Sequence, residues 1–514
     1  MKKKIIIILI IGLFIIALLT IAEIKISRTK ILKNYHKFIE TSKTTYLYNS
    51  NHQKIGTISK GIKFPLAKLN KKSKYYQIKN SKFYLLYKDV KKSSKLELIK
   101  NPNYLPLSKK IKNKPQTILY QNNKKAIILN KELSFQVDFI KDNYYYITFL
   151  NNQFTIKKNK QIKEIKQKNT IKNNVEVLNY ETIAKSCLTS DCTPIKNFKL
   201  QIDTLLKNGY YTITNEEYDS FMKNNLNLKP KALLITTATK NADLISLEKD
   251  LNINIEEKIT AQEINNIKRY SSIENILKMA QGENIIETIP NYFNNQTIPV
   301  LNYHFFYDPK LNESCNESIC LTTDKFKEHL SYLKDNGYKA LTIEEFKSWM
   351  YNELELPEKS VLITIDDGAM GTGKHNGNKL IPLLEEYQMP ATLFLITGWW
   401  NLDNYISPYL DVQSHTFDMH QYGTCGRGQV NCEPYEKVKA DLQKSIDILG
   451  RNESFCFPFY YSSEQSLKAV KETGFQLAFV GGNKKASRNS DKFQIPRYPI
   501  QSNITLNQFI NIVN

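Results

Sequence analysis

The first pattern along the chain is an uncharged, unperiodic apolar run of 18 residues, Ile5 to Ala22, behind the basic start "MKKK". At 1.5 Å per residue it nearly spans a hydrocarbon core of about 30 Å. A cleaved signal has a shorter apolar core and a small-x-small site, of which "TIAE" is a poor version. Residues 1–23 therefore read as a signal-anchor helix. Lysines flank both ends and orient it only weakly, with the short tail in the cytoplasm and the rest outside. Residues 24–41 read as a tether. Residues 42–100 and 115–168 then alternate apolar and polar positions in short bursts such as "TTYLYN", "KYYQIK", "KAIIL" and "NYYYITFL". Period two with Tyr, Ile and Thr between turn residues predicts two all-β modules.

A different pattern follows. The stretch from Ser186, "SCLTSDCTPIKNFKLQIDTLLKNGYYTITNEEYDSFM", aligns without a gap on "SCNESICLTTDKFKEHLSYLKDNGYKALTIEEFKSWM" from Ser314, at a constant offset of 128 that continues to Ile235 and Ile363. "VLNY" at 177–180 recurs at 300–303 after a slip of five residues. A self-match of this length marks a duplicated unit. Each copy reads strand, loop, helix, turn, short helix, strand, with Phe326, Leu330 and Leu333 at helical spacing. "KALLITT" and "SVLITID" read as buried strands. Such alternation predicts a mostly parallel α/β sheet or barrel, with chemistry at the C-terminal ends of the strands.

Composition adds an asymmetry. Residues 1–170 hold 37 Lys and Arg against 8 Asp and Glu, while the rest holds 35 against 42. The basic part suits an anionic cell-wall polymer or anionic lipid; outside a membrane, nucleic acid is excluded as a partner. Lys, Asn and Ile are abundant throughout, so part of this excess is the chain's general polar usage. Six of seven cysteines fall in close pairs, Cys187/Cys192, Cys315/Cys320 and Cys425/Cys432, with Cys456 left over. In an exported chain these read as local disulfides.

At the end of one repeated strand stand Asp366 and Asp367; the other copy has Ala238 and Thr239 there. Two adjacent carboxylates at a buried strand end repel unless a cation uses them, and Gly368 permits the tight turn. "HTFDMH" supplies His415 and His420, five apart and so suited to a strand end rather than one helix face. One carboxylate and two imidazoles make a plausible metal site with open positions.

These motifs resemble the NodB-type polysaccharide deacetylases, carbohydrate esterase family 4. "TIDDG" is similar to their first motif, "SHTFDMH" to their second and "FCFPFY" to their third. "PVLNYH" (299–304) and "IPRYPI" (495–500) resemble the opening and closing segments of members acting on poly-N-acetylglucosamine and peptidoglycan. The resemblance covers residues 298–514. It implies a distorted (β/α) barrel and a divalent metal, zinc first, with Co, Ni, Fe or Mn as alternatives. It implies removal of N-acetyl groups from N-acetylglucosamine residues of a wall or surface glycan, peptidoglycan or poly-N-acetylglucosamine. Asp367, His415 and His420 would be the metal ligands and Asp366 the general base. Pro458, Phe459, Tyr460, Thr416 and Arg497 would contact the oxyanion or substrate or brace the site.

The departures are specific. Cys456 stands where the third motif usually carries a base-orienting arginine. No histidine follows His420, so the usual general acid is missing and His304 is the candidate. "AMGTGKHNGN" and the Cys425–Cys432 loop look like insertions, with His375 a loop residue. Trp399, Trp400, Tyr460 and Tyr461 are candidates for sugar stacking or for packing. The first copy, 175–292, with Glu181 where His304 stands, reads as a degenerate deacetylase-like half domain. The two β modules resemble bacterial SH3-like barrels that bind cell wall. The expected architecture is therefore an anchor helix, two SH3-like modules, a degenerate half domain and a catalytic barrel. The alternatives are a non-catalytic wall-binding scaffold and an O-acetyl esterase.

Overall fold

The computed structural model describes residues 38–66, 74–94, 103–166, 173–258 and 265–514. The expected anchor, residues 1–23, lies outside them. Among the described residues no helix is long and apolar enough to cross a membrane. The chain divides into two compact units. One comprises residues 1–177, 209–235 and 252–259, the other 178–208, 236–251 and 260–514.

The first unit is mainly antiparallel β. Its largest sheet has nine strands, in the order Phe139–Lys141, Tyr144–Phe149, Asn152–Lys157, Thr117–Gln121, Lys124–Leu129, Lys54–Ile58, Thr45–Tyr48, Tyr84–Leu86 and Tyr75–Gln77. Two-residue loops at Asn122–Asn123, Asp142–Asn143 and Leu150–Asn151 take positive φ at both positions. That twist matches the flanking strands of a hairpin. The two β stretches are not separate barrels. Lys124–Leu129 of one pairs with Lys54–Ile58 of the other, Leu129 opposite Gly56. A Cβ on Gly56 would stand 2.5 Å from the Ile128 carbonyl oxygen, so glycine makes the join possible. Ile39, Ile58, Phe64 and Leu85 share one core with Leu119, Ile127, Ile147 and Phe154. The folded region also begins inside the expected tether. Phe38–Thr41 is the middle strand of a three-stranded sheet because Ile39 and Thr41 are buried.

In the second unit seven parallel strands run in the order Leu477–Phe479, Ser454–Cys456, Leu410–Ser414, Ala391–Leu395, Ser360–Asp367, Val300–Tyr303 and Tyr498–Pro499. Phe479 also bridges Ile495, so the segment 495–499 links the two edges. Every residue of Ser360–Asp367 is buried. Helices with one apolar face cover the strands; Thr323–Asp335 buries Phe326, Leu330 and Leu333, the positions expected from the spacing.

The repeat is reproduced element by element. The offset of 128 carries helix Ile195–Lys207 onto Thr323–Asp335 and helix Asn215–Met222 onto Ile343–Met350. Tyr211 pairs with Ala232 as Lys339 pairs with Ser360. In both copies the closing strand lies beside the opening one in the sheet. Leu178 pairs with Asn265 as Leu301 pairs with Tyr498. The half domain also has a two-residue strand, Glu256–Glu257, beside Ala232–Thr237, where Ala391–Leu395 lies beside Ser360–Asp367; among the described residues it has no counterparts of the strands Leu410–Ser414 to Leu477–Phe479.

The structure corrects the loop expected between opening strand and helix. In both copies that segment holds a short parallel pair. Cys192 begins strand Cys192–Pro194, beside Thr182–Ala184, and Cys320 begins strand Cys320–Thr322, beside Phe305–Tyr307. Cys192 and Cys320 are both buried. The reason is physical: buried backbone must find hydrogen-bond partners, and in each copy the parallel neighbour supplies them.

Candidate active site

Four residues around the C-terminal strand ends hold positive φ without being glycine: Asp367 (75°), Thr416 (82°), Phe459 (56°) and Tyr460 (70°). Each such residue costs on the order of 1–3 kcal/mol and persists only where its surroundings fix it. The turn after Asp367 is held from outside the strand. Asn376 Nδ2 donates to the Gly368 carbonyl at 2.9 Å, and the Tyr405 hydroxyl donates to the same oxygen. The expected insertion after the D-D-G therefore packs back onto the motif, and its His375 is exposed. A Cβ on Gly368 would lie 2.3 Å from Leu395 Cδ1, so only glycine, at φ 83°, fits.

Asp367, His415 and His420 each present a ligand atom, and these atoms lie within 4.8 Å of one another. His415 Nε2 and His420 Nε2 stand 3.3 and 3.1 Å from Asp367 Oδ1. His415 Nδ1 is 2.8 Å from the Cys456 carbonyl oxygen, which can only accept, so Nδ1 carries the proton. In the neutral ring Nε2 is then an acceptor facing a carboxylate oxygen. Asp367 Oδ1 is buried with no hydrogen-bond partner. An acceptor nitrogen on His415, a second imidazole nitrogen on His420 and an orphaned buried oxygen are satisfied together by a cation, so the residues fit a metal.

Asp366 is treated differently. Arg497, fully buried, donates from Nη1 to Asp366 Oδ1 and from Nη2 to Oδ2, both at 2.7 Å. Burial acts to raise the Asp366 carboxyl, but the Arg497 charge, with smaller help from His415 and His304, pushes it down to about 2. Arg497 was expected at the substrate; it lies instead behind the carboxylate. It fills the part that the third motif lacks, while Cys456 Sγ accepts from its Nη2 at 2.8 Å. Burial pushes the Cys456 thiol well up, so the sulfur stays neutral beside the pair.

His304 Nε2 is 3.9 Å from Asp366 Oδ2 and 3.4 Å from the Tyr460 hydroxyl, and its buried Nδ1 has no partner. Burial lowers its pKa against the pull of Asp367 and Asp366. Pro458 is buried at the head of the third-motif turn, and the Tyr460 N–H donates to the Phe457 carbonyl at 3.3 Å. Phe459 stacks on His420 with ring centres 4.9 Å apart. Thr416 Oγ1 accepts from the Met419 N–H at 3.2 Å and so braces the second-motif loop. Trp400 is half-buried against the His375 ring; Trp399 and Tyr461 are exposed.

Sequence reasoning missed Asp441. Its two carboxylate oxygens accept from the Phe417 and Asp418 N–H groups at 2.8 and 2.9 Å, fixing the loop between the histidines. The signal was present: Asp441 lies on the apolar stripe Val438, Asp441, Leu442, Ser445 of helix Tyr435–Leu449, where a carboxylate has no place without partners.

The three cysteine pairs form disulfides, Cys187–Cys192, Cys315–Cys320 and Cys425–Cys432, and Cys456 is free and buried. The first two are structural and stand outside the ligand triad. Cys192 and Cys320 each tie the head of a buried strand to the loop before it, in the copy with the carboxylates and in the copy without them.

Residues 353–478 match the family model for polysaccharide deacetylases. A poly-beta-1,6-N-acetyl-D-glucosamine N-deacetylase of Staphylococcus epidermidis is 26% identical over 201 residues, covering 35% of this chain and 68% of that protein. Its Staphylococcus aureus counterpart is 25% identical over 227 residues, covering 40% and 76%. A Streptococcus pyogenes deacetylase solved with acetate covers 42% of this chain and 98% of its own, at 20% identity and a TM-score of 0.36. The matched span contains Asp366, Asp367, His415 and His420 on their strand ends, and over it this chain carries a polysaccharide deacetylase domain.

Proposed function

We propose that this chain removes N-acetyl groups from β-linked N-acetylglucosamine residues of a cell-surface or cell-wall glycan, in a metal-dependent reaction. The observation that carries this reading is the division of labour between two neighbouring carboxylates. Asp367 faces two imidazoles, and Asp366 is clamped by Arg497. A divalent cation on Asp367, His415 and His420, zinc before cobalt, nickel, iron or manganese, would supply Lewis-acid polarisation of the acetyl carbonyl and an acidified water. Asp366, ionised and fixed by Arg497, takes the proton of the attacking water. His304, neutral at rest and 3.9 Å from Asp366, is placed to take that proton on from Asp366 and deliver it to the leaving nitrogen.

The names of the Staphylococcus relatives support poly-N-acetylglucosamine as the first substrate to try, with peptidoglycan second. Localisation follows the sequence: residues 1–23 anchor the chain and the remainder works outside. The basic residues before 170 hold an anionic wall polymer and raise the local substrate concentration. The half domain acts as a brace. Within the second unit, its Arg269 and the catalytic region's Arg488 both pair with Glu355, and Asn197 exchanges two hydrogen bonds with the Glu355 backbone.

The test is acetate release by the full chain, loaded with zinc or cobalt, from poly-β-1,6-N-acetylglucosamine oligomers, peptidoglycan and an O-acetylated glycan. Release from an N-acetylated substrate that disappears in Asp366→Asn is expected. Release from the O-acetylated glycan alone would replace the reading with an esterase, and none from any substrate with metal bound would end it.

A further inference from the structure

The loop after His420 does more than extend the second motif. Gln421 to Gln429 forms a tight hairpin: the Gln429 N–H donates to the Gln421 carbonyl and the Gly423 N–H to the Arg427 carbonyl, each at 2.7 Å, and Tyr422 bridges Gly428. The Cys425–Cys432 disulfide ties the tip of this hairpin to the short helix Gln429–Cys432. Asn431 anchors its base by donating from Nδ2 to the Tyr461 carbonyl at 2.7 Å. Two glycines allow the closure. A Cβ on Gly428 would stand 2.6 Å from Phe459 Cδ2, and one on Gly423 would stand 2.5 Å from Cys432 Sγ.

The hairpin lays Tyr422 against Phe459, with ring centres 4.5 Å apart, and Phe459 lies on His420. Three rings thus run outward from the metal-ligand triad. The outermost, Tyr422, is 77% exposed, unusual for a tyrosine pinned by a disulfide-closed loop. Across His420 stands Trp399, 42% exposed, its indole N–H donating to Asp418 at 2.5 Å. These fixed, water-facing rings are continuous with the reacting centre and lose little freedom when covered. A β-linked hexosamine carries its substituents equatorially and presents C–H groups on both faces, which suits a flat aromatic platform.

We infer that the Cys425–Cys432 hairpin builds a sugar subsite on Tyr422, which takes the hexosamine beside the one that reacts. The inference rests on the deacetylase reading and adds to it a preference for chains over short substrates. A stacked ring is worth a factor of about five in affinity. The measurement is kcat/KM of the metal-loaded full chain on a β-1,6-linked N-acetylglucosamine pentasaccharide, divided by that on the disaccharide. Tyr422→Ala lowers this ratio about fivefold, Tyr422→Phe restores it, and the Cys425→Ser/Cys432→Ser pair lowers it as Tyr422→Ala does. An unchanged ratio in Tyr422→Ala overturns the subsite while leaving the deacetylase intact. If the unmodified chain releases no acetate, the deacetylase reading falls, and pentasaccharide binding by calorimetry decides the subsite alone. A fivefold weaker Tyr422→Ala supports it, and equal affinity overturns it.

Discussion

The two copies of the repeat are nearly the same object up to the end of one strand. They share helix lengths, a disulfide spaced five residues apart and the same parallel pairing of the short strand before the long one. At the strand end they part: Ala238, Thr239 and Lys240 in one, Asp366, Asp367 and Gly368 in the other. The catalytic copy then adds the strands that bring His415, His420 and Cys456; the other has one helix and the short strand Glu256–Glu257 before its closing strand Asn265–Ile267. The scaffold therefore needs neither carboxylate. What the carboxylates need is the scaffold's second half, because Arg497, His415 and His420, which do most to make their burial tolerable, come from it.

The largest effect comes from writing the first copy's residues into the second. Asp366→Ala with Asp367→Thr is expected to cut acetate release by roughly 10⁴-fold or more, since base and ligand go together. Metal content by elemental analysis should fall with it. The reverse change, Ala238→Asp with Thr239→Asp, should bind no metal, because the first copy has no histidines to complete the set. Metal on that variant would break the comparison.

Next in size is Arg497→Met. It leaves Asp366 buried without its cation, at a cost of about 3–5 kcal/mol. It also frees the base to turn, which should lower kcat/KM about 10²-fold. A double-mutant cycle with Asp366→Asn would show the two effects to be one. Full additivity would mean that Arg497 acts elsewhere.

His329 separates the copies by pH. It is buried, hydrogen-bonded to the Tyr303 hydroxyl at 3.1 Å and stacked on Phe509, while the matching position of the first copy is Gln201. Burial lowers its pKa to about 4 from the ordinary 6.5. The unfolded chain therefore takes a proton near pH 6.5 that the folded chain refuses until about 4. The stability tied to neutral His329 is complete above pH 6.5 and is lost as pH falls through that window, by about 3 kcal/mol. His329→Gln should flatten the acid side of the denaturation profile. An unaltered slope would mean that the imidazole takes its proton as readily in the fold as in the unfolded chain.

These contrasts also mark what the sequence made legible. The repeat, the buried strands and the ligand types of the triad could be read because each is a local pattern: a self-match, an apolar run, two histidines beside a D-D-G. The pairing of Cys192 and Cys320 with their near neighbours was equally local, but the strands they begin were not, since each forms only against a segment outside its own loop. Arg497 could be named but not placed, since its partner Asp366 lies 131 residues earlier and its position depends on how the sheet edges meet. Asp441 hid inside a helical stripe. The fusion of the two β modules turned on the edge pairing of Lys54–Ile58 with Lys124–Leu129, for which Gly56 was the only local sign. Long-range register is set by packing, and pattern within one segment does not report it.

The smallest expected effect is the sharpest test of how far the likeness goes. Both copies start their short helix with the same capping box. Thr214 Oγ1 accepts from the Glu217 N–H at 3.2 Å while Glu217 accepts from the Thr214 N–H at 2.9 Å. Thr342 and Glu345 repeat this at 3.2 and 3.1 Å. A lost cap costs about 1 kcal/mol. Thr214→Ala and Thr342→Ala should each lower stability to denaturant by that amount, and neither should change kcat, because neither cap hydrogen-bonds a residue of the triad. Equal losses would mean that the half domain keeps the energetics of the barrel it resembles. A loss at Thr342 alone would mean that only the geometry has persisted, with the first copy's helix held by its tertiary contacts and indifferent to its own cap.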